Sequence, residues 1–412
     1  MPTGIPRSNN EAFFPDYCEY KPISLVNTAN LEHNNLRVKH DNLTPKEQVN
    51  RALRLQRPDR TPRDFAAVPA VWQRLEEHFG VNDRRLVLQR LGIDCRVVSY
   101  DSFCRHPNLE AKQVDLAASL ERSSTGGMWR VWEADGTNRD IWGAHRQRIV
   151  DDFGQHEHFA SYPLASAETI EDLERYRWPA PDWWQFDTLR PAIEALSVPE
   201  PCHVRYRVGS VFETAWSLYG FERFQIDLAT RPELPLYVME RIAEVHLENL
   251  RRVLERAGDL IDLVYFYDDV ATGDGLLISP KMYERYLQPF HQRLIDQAKR
   301  FNQPTMLHCC GSVYSLIPRW IDMGLAVLNP IQPLARNMEP ERLAAEFGGR
   351  IAFHGGVDIQ ELLPKASPAE VRERVHYLSE LLGPQGGYIM AGSHHLQADT
   401  PLENILAMYG LH

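Results

Sequence analysis

The second half of the chain alternates short apolar runs with longer amphipathic segments, and this alternation constrains the fold most. Six runs have the length of buried strands, at His203–Val208, Leu260–Tyr267, Pro304–His308, Ala326–Pro330, Arg350–His354 and Gly387–Ala391. The segments between them have helical spacing, at Pro235–Ala257, Pro280–Phe301, Val313–Met323, Pro340–Phe347, Pro368–Leu382 and Pro401–Tyr409. Several of these helices start with a proline preceded by Ser, Glu or Thr, which is a typical first helical turn. The pattern predicts parallel strands joined by crossover helices.

Parallel strands of this kind form either a closed barrel or an open doubly wound sheet. No glycine-rich phosphate loop of the dinucleotide type follows any of the six runs. The predicted fold is therefore α/β, a (β/α)8 TIM barrel, in which the chemistry takes place at the carboxyl ends of the strands.

The N-terminal part of the chain is less regular. Residues 1–43 have no apolar period and predict an irregular arm, and the barrel is expected to occupy residues 44–412. Thr44, Pro45 and Glu47 predict a helix start with a capping box. Glycine-punctuated segments around Gly136 and Gly143 predict hairpins inserted in the early barrel.

Composition narrows the choice of partner. A formal net charge of −11 and a pI near 5.8 disfavour nucleic acid or an anionic membrane as a partner, so we expect a small-molecule substrate. The sequence has neither a membrane-length apolar run nor the pattern of a signal peptide at its N-terminus, and a cytoplasmic protein is expected. Six scattered cysteines predict reduced thiols. A homodimer is one option for the oligomeric state.

Polar, ligand-type residues recur where the predicted strands end. They are Asp268 and Asp269, His308 with Cys309 and Cys310, Asn329, His354, and His394 with His395. Because the carboxyl ends of barrel strands meet at one face, these side chains are candidates for a common site.

His308 and Cys310 are candidate metal ligands. Alternate residues of an extended segment point to the same side, so both can face the barrel mouth while Cys309 points away. Zinc accepts mixed nitrogen and sulfur ligands, and His394 is a candidate third ligand. The alternative is that the two cysteines are buried small hydrophobic residues and that His308 is a hydrogen-bonded core residue.

Three acidic residues are candidate catalytic groups. Asp268 and Asp269 could act as acid or base, or orient a ligating histidine, and loop capping is the structural alternative. Glu213 follows the strand at His203–Val208 and could enter the mouth, or could be an ordinary acid in a first helical turn.

The chain resembles the uroporphyrinogen decarboxylase superfamily, which includes the methylcobalamin:coenzyme M methyltransferases, from about Thr44 to the C-terminus. The resemblance rests on segments 58–62, 135–137, 220–222, 277–280, 308–313, 329–332, 354–358 and 400–405. It implies a single (β/α)8 barrel.

In the methyltransferase branch, a His-x-Cys pair and a distant Cys bind zinc, which activates a thiol for methyl transfer with a corrinoid. His308 and Cys310 match the pair, but His394 stands at the distant position. The resemblance thus implies a zinc site with one thiolate fewer, and a corrinoid such as methylcobalamin as co-substrate or a corrinoid protein as partner.

True uroporphyrinogen decarboxylases carry an N-terminal Arg-Gln-Ala-Gly-Arg motif that binds the substrate's propionates, and this chain lacks it. The first hypothesis is therefore a zinc-dependent, methyltransferase-like enzyme. The second is a metal-free decarboxylase in which His394 and Asp268 or Asp269 transfer protons during decarboxylation of a porphyrinogen or a small carboxylic acid. The third is a non-catalytic barrel that binds a corrinoid protein.

Overall fold

The structure, a computed structural model, describes residues 42–105, 130–133, 135–151, 154–197 and 200–411. Within these ranges eleven strands are formed, numbered in chain order: β1 (Cys95–Ser99), β2 (Arg130–Trp132), β3 (Thr137–Asp140), β4 (His145–Asp151), β5 (Gly154–Ser161), β6 (His203–Arg207), β7 (Leu263–Tyr267), β8 (Thr305–His308), β9 (Val327–Ile331), β10 (Ala352–Val357) and β11 (Tyr388–Gly392). The arm predicted for residues 1–43 lies outside the described residues, apart from Asn42 and Leu43.

Seven of the strands form one curled parallel sheet in the order β1-β6-β7-β8-β9-β10-β11. Six of these strands are buried at every residue, and β11 is buried at all but its last, because helices cover one face and the strands' own side chains fill the other. Leu263, Tyr265, Met306, Val327 and Ala352 pack together as a separate interior cluster. The predicted alternation of parallel strands and helices is confirmed, and the architecture is that of a TIM-barrel-like fold.

Residues 62–67 link the two edges of this sheet. The amide of Asp64 donates to the carbonyl of Met390 in β11 at 2.9 Å, and the amide of Asp94 donates to the carbonyl of Arg63 at 3.0 Å. The segment therefore runs between β11 and the start of β1. Because the ordered sheet has seven strands, the eightfold count stays a prediction.

The helices cover the outside of the sheet. Their bounds are Pro45–Leu53, Pro69–Phe79, Arg84–Arg90, Ile170–Glu174, Leu189–Leu196, Phe212–Tyr219, Phe221–Thr230, Glu233–Ala257, Pro280–Met282, Gln288–Lys299, Ile317–Met323, Pro340–Phe347, Leu362–Lys365, Pro368–Leu382 and Leu402–Met408. The first has the predicted capping box between Thr44 and Glu47. None of the helices in the described ranges is long and apolar enough to cross a membrane.

The longest helix, Glu233–Ala257, shows how these helices dock. Its residues Val238, Ile242, Val245 and Val253 are buried at spacings that place them on one face. Burial of each such side chain contributes roughly 1.5–3 kcal/mol. This apolar face holds the helix against its neighbours, among them the helices Phe212–Tyr219 and Gln288–Lys299. An Ile242→Ala change is expected to cost about 2–5 kcal/mol.

Two predicted helices differ from the structure in their first part. The helix predicted over Val313–Met323 begins with a 3-10 turn at Tyr314–Leu316 and is α-helical from Ile317. The segment predicted as a single helix over Pro280–Phe301 contains a π-helical turn at Tyr283–Leu287 before the regular helix resumes at Gln288. Pro289 follows this turn and has no N–H to donate. Its ring also crowds the carbonyl one turn earlier, and a wider turn relieves that contact.

The predicted inserted hairpins are also present. Strands β2 to β5 form a four-stranded antiparallel sheet in that order, separate from the main sheet. Gly143 adopts a φ of 91° in the turn between β3 and β4, and an added Cβ there would lie 2.3 Å from the hydroxyl of Tyr176. The turn therefore requires glycine, as the sequence pattern indicated.

Candidate metal centre

His308 and Cys310 lie on the same side of the extended segment that ends β8. The amide of Cys309 donates to the carbonyl of Asn329 at 2.8 Å, so the parallel ladder continues beyond His308. The side chain of Cys309 points away into the core and accepts the amide of Val270 at 3.3 Å. His308 Nε2 lies 3.2 Å from Cys310 Sγ. The predicted alternation along this segment is thus observed.

The turn after Cys310 depends on Gly311. Its φ is 90°, and an added Cβ would lie 2.3 Å from the carbonyl oxygen of Thr272. A side chain there would push the two loops apart. The turn is further held by the amide of Cys310, which donates to Asp269 Oδ1 at 2.7 Å. These contacts fix the position of the thiol.

His394 reaches the same site from the loop after β11. The amide of Ser393 donates to the carbonyl of Val357 at 2.7 Å and so anchors the loop to β10. The ring centroids of His308 and His394 are 5.8 Å apart. One ligand atom each from His308, Cys310 and His394 all lie within 4.8 Å of one another.

The electrostatic setting differs between the thiol and the imidazole. Burial, together with the nearby carboxylates of Asp269 and Glu213, raises the pKa of Cys310 far above its usual range. Burial, reinforced by His308, lowers the pKa of His394 to about 4, which leaves its ring neutral at neutral pH. A neutral imidazole has the lone pair that a metal ligand needs. The thiol becomes a thiolate only when a cation offsets the acidic surroundings.

These residues fit a tetrahedral zinc ion. Bound zinc holds nitrogen at roughly 2.0–2.1 Å and sulfur at roughly 2.3 Å, so neighbouring ligand atoms lie roughly 3.5 Å apart. The 3.2 Å between His308 Nε2 and Cys310 Sγ and the 4.8 Å limit for all three atoms are close to that value. Small side-chain adjustments would therefore complete the site.

Asp268 is held inside the wall of the sheet. It is 1% exposed and accepts hydrogen bonds from the amides of Val211 and Glu213 at 3.1 and 3.0 Å and from His291 Nε2 at 2.8 Å. Its carboxylate thereby binds the N-terminal amides of the helix Phe212–Tyr219. All three contacts are structural, and they anchor the loop that carries Asp269.

Asp269 and Glu213 lie beside the thiol. Asp269 accepts the amide of Cys310, and its own amide donates to Glu213 Oε1 at 2.9 Å. Burial raises the pKa of Glu213 well above its usual range, and the carboxylates of Asp269 and Asp268 reinforce that shift. Glu213 is therefore more readily protonated than an ordinary glutamate.

Two buried charged residues beneath the candidate ligands, Asp64 and Arg205, were not found from the sequence, although their neighbours Asn329 and His354 were. Arg205 projects from β6 into the interior, where it forms a salt bridge with Asp64, and both line a cavity of about 20 Å3 together with His308, Asn329 and His354. One signal was present in the sequence. His203, Arg205 and Arg207 alternate along a strand predicted to be buried, which places charge on its inner face.

A curled parallel sheet whose carboxyl-end loops bring a thiol and two imidazoles together is the arrangement of a TIM-barrel-like enzyme. The sequence pattern of the uroporphyrinogen decarboxylase (URO-D) family matches residues 153–411, more than half of the chain. The protein belongs to this family, as its motifs indicated.

Two methyltransferases are similar to this chain. The methylcobamide:CoM methyltransferase MtbA of Methanosarcina mazei is 24% identical over 167 residues, which span 40% of this chain and 45% of that protein. The aligned stretch is thus less than half of the relative's length. The solved structure of a methyltransferase from Methanosarcina mazei superimposes with a TM-score of 0.56 at 17% identity, and covers 89% of this chain and 97% of that chain. This second likeness supports the fold.

Proposed function

We propose that this protein is a zinc-dependent, methyltransferase-like enzyme that acts on a small substrate together with a corrinoid methyl donor or a corrinoid protein. The observation that carries the proposal is the convergence of His308, Cys310 and His394, whose ligand atoms lie within 4.8 Å of one another. Membership of the URO-D family supports it. The similarity to MtbA, whose name gives methylcobamide and CoM as its reactants, supports it further.

Zinc would be held by His308 Nε2, Cys310 Sγ and a ring nitrogen of His394. When bound, it would act as a Lewis acid toward a heteroatom of the substrate. Three protein ligands leave one coordination position for that heteroatom, as in other catalytic zinc sites. With one thiolate and two neutral imidazoles, the ligands carry a single negative charge. A site of this charge favours polarisation of the substrate over strong electron donation to it.

Two acidic residues of the protein would accept and hold the proton that the substrate loses. Asp269 lies against the backbone of Cys310 and accepts its amide at 2.7 Å, so its carboxylate borders the position where the substrate heteroatom would sit. Glu213, which accepts the amide of Asp269, keeps its proton to a higher pH than an ordinary glutamate because burial and the two neighbouring carboxylates raise its pKa. We assign Asp269 the role of base and Glu213 that of proton store. Asp268 keeps both in place.

Elemental analysis of the purified protein tests the proposal. We expect about one zinc per chain, lost in His308→Ala and in Cys310→Ala. The matched control is Cys309→Ala, because this neighbouring thiol points into the core and its removal leaves the three ligands in place. Zinc far below one per chain in the wild-type protein, or equal losses in the Cys309 and Cys310 variants, would contradict the proposal.

A metal-free carboxy-lyase is the second candidate, favoured by the family and by Glu213. Decarboxylation leaves a carbanion that must be protonated, and an acid whose pKa is raised by burial is suited to this step. Turnover of a carboxylic acid that survives exhaustive chelation and is lost in Glu213→Gln would favour this candidate. Turnover abolished by chelation and restored by zinc would exclude it.

A further inference from the structure

A chain of buried side chains connects His308 with the interior of the sheet. His308 Nδ1 lies 2.6 Å from Asn329 Oδ1, and the amide nitrogen of Asn329 contacts His354 Nδ1. His354 Nε2 lies 2.7 Å from Asp64 Oδ2, and Asp64 forms a salt bridge with Arg205. The five residues are 2–5% exposed, so water offers them few alternative partners.

The donors and acceptors along this series of side chains fit together in only one direction, and the carboxylate decides whether it runs from His308 toward Asp64 or the reverse. A carboxylate only accepts, so His354 Nε2 must donate its proton to Asp64. The other nitrogen of a neutral His354 ring then accepts, and Asn329 must present its NH2 group to it. This orientation turns the Asn329 oxygen toward His308, whose Nδ1 must therefore carry the proton. The Nε2 atom of His308 is left with its lone pair, on the side of Cys310.

The opposite direction requires an extra charge. If Asn329 were flipped, its oxygen would face His354 Nδ1, and both nitrogens of His354 would have to carry protons. Arg205 already lies against Asp64, and its Nη1 is 3.4 Å from His354 Nε2. A second buried cation at this distance from the guanidinium is strongly disfavoured. The Asp64–Arg205 pair thus selects the first direction.

We propose that Asn329, His354 and Asp64 are positioning residues that hold His308 in its Nδ1-protonated tautomer and so present its Nε2 atom to the metal. This inference rests on the proposed function for its purpose, but the tautomer itself is a property of the metal-free protein. His354 lies one residue away from the ligand, beyond Asn329, and acts only through it. Loss of such outer partners lowers metal affinity by about 10–100-fold.

The first measurement is the tautomer of His308 in the full-length, metal-free protein, by long-range 1H–15N correlation spectroscopy with assignment from a His308→Gln spectrum. We expect the Nδ1-protonated pattern in the wild-type protein. In His354→Phe, which removes the acceptor for Asn329, we expect a mixture of tautomers. In His354→Gln, whose amide can accept from Asn329 and donate to Asp64, we expect the wild-type pattern to be kept.

The second measurement is Zn2+ affinity by competition with a chromophoric chelator. We expect about 10–100-fold weaker binding for His354→Phe and near wild-type binding for His354→Gln. If His354 only filled space, the zinc affinity would depend on the size of the side chain at this position. The smaller glutamine would then not restore it. The matched control is His246→Phe, because His246 is also buried but lies outside this series of contacts, with Nε2 3.1 Å from the carbonyl oxygen of Ser210.

The two proposals fail in different ways. A wild-type protein that binds no zinc contradicts the proposed function, whereas the tautomer still reports on the positioning residues. An Nε2-protonated His308 in the wild-type protein overturns the inference. So does a His354→Phe variant with wild-type tautomer and wild-type zinc affinity.

Discussion

His308 Nε2 and Cys310 Sγ lie 3.2 Å apart, although the residue between them points into the hydrophobic core. The separation follows from the two-residue period of a strand, which brings alternate side chains to one face. Strand β8 and the turn at Gly311 thus bring the two candidate ligand atoms together without a metal. The third candidate ligand, His394, comes from the loop after β11, a strand three places further along the sheet.

Replacement of Gly311 by alanine should disturb both stability and the candidate metal site. The residue has a φ of 90°, and a Cβ there would meet the carbonyl oxygen of Thr272 at 2.3 Å. We expect a loss of about 1–3 kcal/mol in the free energy of unfolding, measured in urea, and weaker zinc binding. Gly273→Ala is the control, because a Cβ at Gly273 meets no atom within 4 Å. Equal effects of the two changes would contradict the proposed strain.

Replacement of Asp64 by asparagine should destabilise the fold. The change leaves the buried guanidinium of Arg205 without its counter-charge. Breaking a buried pair from one side costs about 3–5 kcal/mol, which urea unfolding can measure. The exposed pair of Glu361 and Lys365 provides the control, and Glu361→Gln should cost less than about 1 kcal/mol. Similar costs for the two substitutions would show that Asp64 does not compensate Arg205.

The contribution of Asp64 should depend on pH. Burial alone would raise its pKa, but Arg205 and His354 outweigh that effect and hold it below its usual range. An acid with a depressed folded pKa stabilises the fold above its unfolded pKa of about 3.9, and loses that contribution as pH falls toward the folded value. The difference in unfolding free energy between wild type and Asp64→Asn should therefore be constant from about pH 5 to 7 and shrink below about pH 4. A difference that grows on acidification would contradict this assignment.

Glu213→Gln should stabilise the protein at neutral pH. Burial and the carboxylates of Asp269 and Asp268 raise the pKa of Glu213, so its ionisation opposes folding once the pH exceeds the unfolded pKa. Glutamine keeps the acceptor for the Asp269 amide without the charge. We expect a gain of about 0.5–2 kcal/mol at pH 7 that disappears near pH 4, by urea unfolding. The exposed Glu222→Gln is the control, within about 0.5 kcal/mol of wild type. Loss of stability in Glu213→Gln at pH 7 would count against the raised pKa.

The regular elements could be predicted because their signals are local. The helices Pro340–Phe347 and Pro368–Leu382 have the predicted bounds, since a proline in the first turn fixes where each begins and Ser367 also caps the second. The strand pattern also placed His308, Cys310 and His394 at one end of the sheet. That placement needed only the rule that the carboxyl ends of parallel strands share a face.

The buried salt bridge between Asp64 and Arg205 could not be predicted in the same way. Asp64 and Arg205 are 141 residues apart in sequence. A charged residue is predicted to lie at the surface unless its buried partner is known. The role of Asp268 was hidden for a similar reason. Its carboxylate binds the start of the helix Phe212–Tyr219 across 57 and 55 residues, to Val211 and Glu213. Such pairings depend on topology rather than on any local pattern.

X-ray absorption at the zinc edge of the purified protein tests the central claim most directly. We expect one sulfur ligand at about 2.3 Å and two imidazole nitrogens at about 2.0–2.1 Å. The sulfur contribution should disappear in Cys310→Ala and persist in Cys309→Ala. A zinc ion with no sulfur ligand, or a protein that takes up no zinc at all, would contradict the assignment of His308, Cys310 and His394 as a metal centre.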